Sequence, residues 1–401
     1  MNHNLTRLVA VAQKPARRII GLMSGTSLDG LDVALCRFEG HGAATRVTVE
    51  QFQTVPYAED VRQQIRRVFA RHDGVELQHL TLLHAWLGRL HAEMVLACLR
   101  EWHVAPAEVD ALASHGQTVF HAPRHQHGLP DWPDATLQLG DGDHLAVHTG
   151  ILTLSDFRQK HVAAGGQGAP LAVYGDYLIF SRPGEDRLLL NLGGIANFTF
   201  LPGSLDAATV FSSDLGPGNT LLDAFVRELY PGRSYDENGA LAAQGQMHAG
   251  LLAELLRHPF FREPLPKTTG PELFNPAYVR AAQTRSGTSA LPPTDLLATL
   301  TEFSAAGVAA AVEQAFGPAR PFHVYVSGGG LHNPTLLAAI RRRLPQCHFA
   351  TTEALGILPD AKEAVLFAIL ANETLVGEPL PIGAGRQQVP AVSLGKISFP
   401  G

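Results

Sequence analysis

A seven-residue turn near the start of the chain combines groups that bind phosphate and a metal ion. It reads Ser24-Gly-Thr-Ser-Leu-Asp-Gly30, and Asp32 follows two residues later. Its glycines let backbone amides approach an anion, because no Cβ stands in the way. Thr26 and Ser27 add hydroxyl donors, and Asp29 and Asp32 could hold a hydrated magnesium ion. The chain has no GxxxxGK[ST] sequence, so this is no Walker loop, and an ordinary hairpin turn is the alternative.

Two later glycine segments have a similar character. Ser213-Asp-Leu-Gly-Pro-Gly-Asn219 precedes a predicted helix that begins near Thr220, and amides at a helix N-terminus favour phosphate or another anion. Asp214 in this segment is a candidate general base, although an aspartate also caps turns and helices. Ser327-Gly-Gly-Gly330 follows a predicted buried strand, which is where open α/β sheets place their ligands.

Four histidines lie within thirteen residues, which suggests a metal site: His115, His121, His125 and His127. No second Cys/His cluster with ligand spacing accompanies them. The sequence therefore favours hydrogen bonding between His115 and a polar substrate over zinc.

Three charged residues further along the chain are candidates for substrate contact. Arg158, two residues after Asp156, suits a substrate carboxylate or phosphate, but a structural Asp–Arg pair would have the same sequence. The flexible segment Gly165-Gly-Gln-Gly168 follows. Glu363 opens a predicted helix, where an acidic residue also belongs because of the helix dipole.

The elements that must position these residues occur twice. Arg18–Met23 and Leu31–Phe38 predict two strands around the first turn, and the pattern returns as Arg187–Leu192 and Ala196–Leu201 around Gly193 and Gly194. The repetition predicts a duplicated α/β architecture with a cleft between the halves. We expect Val109–Ser114 to be a strand that delivers residues 115–118 to a loop, and residues 1–16 to be a flexible leader.

Composition excludes several classes of protein. The 401 residues are 45% hydrophobic and 17% charged, which excludes general disorder. A net charge of −6 provides no basic field for nucleic acid or anionic lipid. The three cysteines lie far apart and show no framework of disulfides, which favours a reducing cytoplasm. No apolar run reaches the roughly 20 residues of a membrane helix. We therefore expect a cytoplasmic protein with no membrane or nucleic-acid partner.

Taken together, the motifs resemble those of the anhydro-N-acetylmuramic acid kinase family, over roughly residues 18–395. The matching segments, in family order, are Gly21–Asp32, Ser114–Thr118, Leu137–Asp141, Asp156–Arg158, Gly165–Pro170, Asn191–Asn197, Asp214–Asn219, Gly328–Gly330 with Asn333-Pro334, and Lys362–Ala364. Two departures stand out. Leu215 occupies a position where the family usually has Thr, and Leu171–Tyr177 lacks a His common in some members.

The resemblance implies a fold and a reaction. The fold is a two-domain, actin-like or hexokinase-type ATPase with ribonuclease-H-like halves and a central cleft. Domain I would comprise residues 17–153 plus about 376–401, and domain II residues 154–375. The reaction would use ATP, magnesium and water to convert 1,6-anhydro-N-acetylmuramic acid into N-acetylmuramic acid 6-phosphate and ADP, in the recycling of cell-wall peptidoglycan. A homodimer is also implied.

The resemblance also assigns residues. Asp214 matches the general base, and Glu363 matches a carboxylate that places sugar and water. Asp29 and Asp32 would bind the metal. The nucleotide would contact Gly25, Thr26, Ser27, Leu28, Asp29, Gly30, Leu31, Asp32, Gly193, Gly194, Gly216, Gly218, Asn219, Gly328, Gly329, Gly330 and Asn333. The sugar would contact His115, Gln117, Thr118, Gln138, Asp156, Arg158 and Gln167.

Three alternatives belong to other substrates or classes. A kinase for another anhydrosugar, such as levoglucosan, would use the same bridge chemistry. A sugar-sensing repressor on this fold would need a helix-turn-helix, and sixteen leading residues are too few for one. A glycosidase could pair Asp214 with Glu363 without ATP, but the several glycine segments argue against it.

Overall fold

The structure is a computed structural model that describes residues 2–25, 28–383 and 389–401, apart from the side chains of His125 and Pro359. The chain forms two compact units. The first comprises Met1–Ser181 together with Gly356–Gly401, and the second comprises Arg182–Leu355.

The described residues form these strands, in chain order: β1 (Ala16–Ser24), β2 (Gly30–Glu39), β3 (Arg46–Pro56), β4 (Ala111–Ala122), β5 (Ala135–Leu139), β6 (Thr153–Ser155), β7 (Arg187–Leu192), β8 (Ile195–Leu201), β9 (Phe211–Pro217), β10 (His323–Ser327), β11 (His348–Thr351) and β12 (Lys396–Ser398).

The α-helices of the same residues are α1 (His3–Ala12), α2 (Glu59–Arg66), α3 (Leu77–Glu101), α4 (Arg124–His127), α5 (Gly142–Thr149), α6 (Phe157–Ala163), α7 (Ala172–Phe180), α8 (Thr220–Leu229), α9 (Ala249–Leu255), α10 (Pro276–Ser286), α11 (Pro293–Phe316), α12 (Pro334–Arg343) and α13 (Lys362–Val376).

The sheet of the first unit has the order β12-β6-β4-β1-β2-β3, with β5 paired to β4. Strands β1, β2 and β3 pair antiparallel, whereas β4 is parallel to both β1 and β6. Helix α3 covers one face, where Leu83, Leu87 and Val95 pack with Ile20 and Leu22 of β1. Helix α13 packs against β1 as well. Burial on both faces explains why β1 is an almost continuous apolar run.

The second unit has the sheet order β11-β10-β7-β8-β9. Strands β7, β8 and β9 pair antiparallel, and β10 is parallel to β7 and β11. Helix α11 contributes Ala305, Val308 and Val312 to the core beside this sheet. Among the described residues, α11 alone is long and apolar enough to cross a membrane, but 83% of its most apolar window is buried inside the unit. It is the core helix of this unit.

The two units share one strand order. In each, three consecutive antiparallel strands are extended by two parallel strands beside the first, giving β3-β2-β1-β4-β6 and β9-β8-β7-β10-β11. This is the ribonuclease-H-like order, so the predicted duplicated α/β fold is confirmed.

The predicted domain boundaries require correction. The units divide after Ser181 and after Leu355 rather than near residues 153 and 375. Strand β6 pairs with β4, and α13 packs on β1, so both elements belong to the first unit. The sequence could not reveal these partners, because pairing joins residues far apart in the chain.

Three local predictions also differ from the structure. Residues 3–12 form α1, capped by the side chain of Asn2 and anchored by buried Val11, rather than part of a flexible leader. Residues 115–118 continue strand β4, and residues 213–217 lie in strand β9. In the two strands, pairing with neighbours overrides the glycines that suggested loops.

Candidate functional site

Buried residues of the first unit donate hydrogen bonds to the backbone of the turn between β1 and β2. Gln117 Nε2 donates to the Gly25 carbonyl at 3.0 Å, and the Tyr57 amide donates to the Asp29 carbonyl at 3.0 Å. Gln117 Oε1 accepts from Ser24 Oγ. Gln117 is completely buried. The structure therefore places this predicted sugar contact beneath the turn, with both ends of its amide bonded to protein.

Two residues of the turn have conformations that the fold itself explains. Leu28 has φ 58, the left-handed region, and its side chain lies in the core. A Cβ on Gly30 would lie 2.3 Å from the Val55 carbonyl of β3. Gly30 is therefore required by strand packing, whatever binds the turn. Thr26 and Ser27, both predicted nucleotide contacts, lie outside the described residues.

A group of carboxylates lies beside this turn. Asp32 Oδ1 accepts from Thr54 Oγ1 at 2.6 Å. Burial raises the pKa of Asp32, the Thr54 hydrogen bond lowers it, and the charges of Asp29 and Asp360 raise it further. A cation would relieve this repulsion, and carboxylate oxygens suit magnesium. The described residues contain no group of three or more metal-ligating side chains. Asp29 and Asp32 would supply only part of such an ion's ligands, and water or phosphate would have to supply the others.

Glu363 stands in the first turn of α13, where a glycine lets the helix touch the sheet. A Cβ on Gly21 of β1 would lie 1.8 Å from the Ala364 carbonyl, so any larger residue would push α13 away. Lys362 Nζ is paired with buried Asp176 of α7 at 2.8 Å. Burial raises the pKa of Glu363, Arg158 lowers it, Asp32 raises it and Lys362 lowers it. The carboxylates of Glu363 and Asp32 therefore repel each other electrostatically.

Arg158 is held in place by two neutral acceptors. Its Nε donates to His115 Nε2 at 2.8 Å, and its Nη1 donates to the Gly168 carbonyl at 2.8 Å. Burial is the main cause that lowers the pKa of His115 to about 3, and the charge of Arg158 is the second. The imidazole is therefore neutral at pH 7. His161 Nδ1 accepts from the Gly168 amide at 2.9 Å. This arrangement fixes the guanidinium next to the charge of Glu363.

The other predicted sugar contacts are spread over the same unit. Gln138 Nε2 donates to Thr118 Oγ1 at 3.2 Å and is buried. Asp156, with φ 56, is paired with Lys396 at 2.8 Å. Gln167 is exposed.

The four-histidine segment of the zinc alternative is described only in part, because the side chain of His125 lies outside the described residues. The described residues contain no group of three His, Cys, Asp or Glu side chains that could hold a metal ion. His115 is engaged by Arg158, and His127 Nε2 lies 3.2 Å from the Pro133 carbonyl.

In the second unit, the predicted nucleotide segments meet one another. The amides of Gly218 and Thr220 donate to the Gly194 carbonyl at 2.8 and 3.1 Å, and the Asn219 amide donates to the Gly193 carbonyl at 2.8 Å. The amides of the segment that leads into α8, and the first amide of the helix itself, are thus bonded to the hairpin turn of β7 and β8. A Cβ on Gly218 would lie 2.2 Å from the Gly193 carbonyl, so Gly218 permits this contact.

The Gly328–Gly330 segment lies against the same turn. A Cβ on Gly328, which has φ +84, would lie 2.5 Å from Asn191 Oδ1, and one on Gly330 would lie 2.6 Å from the Leu192 Cβ. A Cβ on exposed Gly329 would meet only Asn219 Nδ2, at 3.7 Å. Asn333 caps α12 by accepting from the Leu336 amide. Gly329 is therefore the position of this segment with room for a ligand.

Two other predicted positions of this unit have structural partners. Gly216 has φ +134, and a Cβ there would lie 3.2 Å from the ring of Phe261. Leu215, the departure from the family pattern, is completely buried in the core beside the sheet.

Asp214 projects from β9 with one oxygen held by the backbone. Its Oδ2 accepts from the Thr269 amide at 2.9 Å, and its own amide donates to the Lys267 carbonyl at 3.0 Å. No described residue hydrogen-bonds to Oδ1. Burial raises the pKa of Asp214, the Thr269 amide lowers it, and the charge of Glu272 raises it. A fixed carboxylate with one oxygen open and a raised proton affinity suits a general base.

Sequence reasoning missed several residues that support the site. Tyr57, Thr54 and His161 each hydrogen-bond to a site residue. Tyr57 directly follows β3, Thr54 lies in β3 and His161 lies in α6, and no motif marks them.

Comparisons with known proteins give a consistent result. The family model described as anhydro-N-acetylmuramic acid kinase matches residues 17–400. A protein of that name from Pseudoalteromonas atlantica is 56% identical over 401 residues, covering 100% of both chains. Another from Caldanaerobacter subterraneus is 39% identical and covers 98% of this chain and 100% of its own.

Solved structures resemble the chain only distantly. The activator of a 2-hydroxyisocaproyl-CoA dehydratase from Clostridium difficile aligns at 10% identity and a TM-score of 0.39, over 89% of this chain and 95% of its own. A ROK family glucokinase from Streptomyces griseus aligns at 14% identity with a TM-score of 0.34. The alignment covers 88% of this chain and 98% of the glucokinase. Scores this low add nothing to the fold deduced from strand order. The match along the whole chain is decisive: the protein belongs to the anhydro-N-acetylmuramic acid kinase family.

Proposed function

We propose that the protein uses ATP and water to convert 1,6-anhydro-N-acetylmuramic acid into N-acetylmuramic acid 6-phosphate and ADP. Family membership supports the substrate, since relatives 56% and 39% identical carry that name. The setting of Asp214 supports the hydrolytic part, because this buried carboxylate has one oxygen fixed by Thr269 and a raised pKa. We place the reaction in the recycling of cell-wall peptidoglycan.

The chemistry of the sugar requires a coupled reaction. The 1,6 bridge ties up O6, so an ordinary kinase has no 6-hydroxyl to phosphorylate. In our mechanism a water molecule gives a proton to Asp214 and its oxygen bonds to the anomeric carbon. The bond between that carbon and O6 breaks. O6 then bonds to the γ-phosphorus of ATP, the bond from that phosphorus to the bridging oxygen breaks, and ADP leaves.

The remaining charged groups would bind and orient the reactants. Arg158, fixed by His115 and the Gly168 carbonyl, would receive a carboxylate or phosphate oxygen. Glu363 would orient the sugar and water. Asp29 and Asp32 would hold magnesium, which when bound neutralises charge on phosphoryl oxygens. We further propose that the protein is a cytoplasmic homodimer, on the basis of its cysteine content and the family resemblance.

The mechanism predicts a large effect of Asp214→Asn. The amide keeps the size of the side chain but cannot accept a proton, so turnover should fall by roughly 10²–10⁴-fold while ATP affinity stays nearly unchanged. The product is identified by mass spectrometry after incubation with ATP, magnesium and the anhydrosugar, with levoglucosan in parallel. Sugar opening and ADP formation should fall together, because O6 is free to accept the phosphoryl group only when water opens the bridge.

An isotope experiment tests the order of bonds. In ¹⁸O-labelled water, the wild-type product should carry the label on its anomeric oxygen and none in the phosphate. Label in the phosphate would contradict water attack on the sugar. Near-normal turnover by Asp214→Asn would reduce Asp214 to a structural residue of β9.

A further inference from the structure

Beneath the first-unit turn, four polar side chains form a buried row. His91 Nε2 lies 2.7 Å from Tyr57 Oη, which lies 2.7 Å from Ser24 Oγ, and Ser24 Oγ donates to Gln117 Oε1. All four residues are buried, with Ser24, His91 and Gln117 completely so. They come from β1, the segment after β3, α3 and β4. The row therefore joins four elements of the first unit below one turn.

The direction of every hydrogen bond in the row can be deduced from the Gln117 end. Gln117 Nε2 already donates to the carbonyls of Gly25 and Thr118, so the other end of the amide is the acceptor Oε1. The single hydroxyl proton of Ser24 is used on Oε1, so Ser24 Oγ must accept from Tyr57. Tyr57 Oη, having given its proton, must accept from His91. All donors therefore point from His91 toward Gly25.

This polarity fixes the tautomer of His91. The imidazole must carry its proton on Nε2 and a lone pair on Nδ1. Nδ1 has no hydrogen-bond partner among the described residues, which is tolerable for an acceptor and costly for a buried N–H. Burial lowers the pKa of His91 to about 4, so the ring is neutral at pH 7.

Tyr57 supports the turn at two points. Its hydroxyl donates to Ser24 Oγ. Ser24 in turn donates to Gln117, whose Nε2 donates to the Gly25 carbonyl. Its amide donates directly to the Asp29 carbonyl. Gly25 and Asp29 are thus both tied to one buried residue, and groups already held in place bind a ligand without first having to be ordered.

We propose that Tyr57 and His91 are positioning residues that, through a one-way row of hydrogen bonds and the Tyr57 amide, hold the backbone of Gly25 and Asp29 in place for nucleotide binding. The proposal rests on the proposed function in one respect, that this turn receives the phosphates of ATP. Neither residue touches the reactants in this role.

Tyr57→Phe tests the row by removing one hydroxyl. Ser24 then loses its donor and His91 its acceptor, and a loss of this kind changes an equilibrium by about 5- to 30-fold. Calorimetry with ATP and magnesium should show affinity weakened by that factor, while KM for the sugar stays unchanged. Tyr278→Phe is the matched control. Its hydroxyl donates to the buried Leu255 carbonyl in the second unit, and its loss should leave ATP affinity unchanged.

His91 offers a second pair of variants. His91→Gln can still present an N–H to Tyr57 and should retain ATP affinity, whereas His91→Leu cannot and should lose it. Equal affinities in these two variants, when both are folded, would overturn the proposal.

Two measurements do not depend on ATP and separate this proposal from the proposed function. Nitrogen-15 NMR should find the His91 proton on Nε2, and a proton on Nδ1 would contradict the row. Hydrogen exchange at the Tyr57 amide should be faster in His91→Leu than in wild type, and unchanged exchange would refute its role in holding the turn. A wild-type protein that meets both expectations but does not bind ATP would refute the proposed function alone.

Discussion

Asp214 and Glu363 are carboxylates whose charged forms the fold disfavours. Burial is the largest cause of the raised pKa in both. A proton acceptor must be ionised before it can act, so kcat/KM should fall as the pH falls through the raised pKa of Asp214. Ionisation of either residue therefore costs the folded state some stability.

Replacing Glu363 by Gln should stabilise the protein at pH 7. The pKa of Glu363 is raised by folding, so its contribution to stability is fully present below the pKa of the unfolded chain and is lost as the pH rises through the folded value. A neutral amide avoids that loss. Thermal melting should give a higher Tm for Glu363→Gln than for wild type at pH 7. The Tm values of the two proteins should become equal near pH 3.

Glu254→Gln is a matched control for this prediction. Hydrogen bonds from Arg257 and Arg285 lower the pKa of Glu254, so its loss should not raise the Tm at pH 7. A lower Tm for Glu363→Gln at pH 7 would mean that its attraction to Arg158 outweighs the cost of burial.

At the scale of elements, glycines set how closely the candidate segments approach one another. Gly21 lets α13 reach β1, and Gly218 lets the start of α8 reach the turn between β7 and β8. At both positions a Cβ would collide with a backbone carbonyl, which cannot move like a side-chain end. The glycines that first suggested phosphate binding are thus in several cases needed for packing.

Gly329→Val separates a ligand role from a packing role. Because a Cβ fits at Gly329, the variant should keep its Tm, but its side chain would occupy space that the nucleotide needs. ATP affinity should fall by about tenfold, or ~1.4 kcal/mol. Gly330→Val, whose Cβ would collide with Leu192, should lower the Tm instead. Unchanged ATP affinity in folded Gly329→Val would remove Gly329 from the nucleotide site.

At the scale of the whole molecule, one five-stranded plan is used twice, and the hairpin of its first two strands carries a candidate site each time. In the first unit this hairpin joins Ser24 of β1 to Gly30 of β2 and carries Asp29, with Asp32 two residues into β2, and in the second it joins β7 to β8 through Gly193-Gly194. Asp29 and Asp32 occur only at the first of these turns. Any dependence on metal should therefore be traced to the first unit.

Removing magnesium should abolish both turnover and the stabilisation by ATP. A ligand at 100 times its Kd stabilises the folded state by ~2.7 kcal/mol, which appears as a higher Tm. EDTA should cancel this rise, and Asp32→Asn should weaken it without EDTA. Asp186→Asn, which removes an aspartate paired with Arg320 in the second unit, is the control and should keep the rise. A full rise in Tm with EDTA present would contradict metal-assisted binding.

The sequence by itself determined the duplicated strand–turn–strand pattern, the family and the candidate residues, because these depend on local periodicity and contiguous motifs. It predicted β1, β2, β7 and β8 to within two residues at each end. The tertiary structure decided which groups are free to act. Gln117, Gly30 and the amides of residues 218–220 are engaged by other parts of the chain, and no motif marks Tyr57 or His91. Such partners are set by strand pairing and helix packing between segments far apart in sequence, so no local pattern records them.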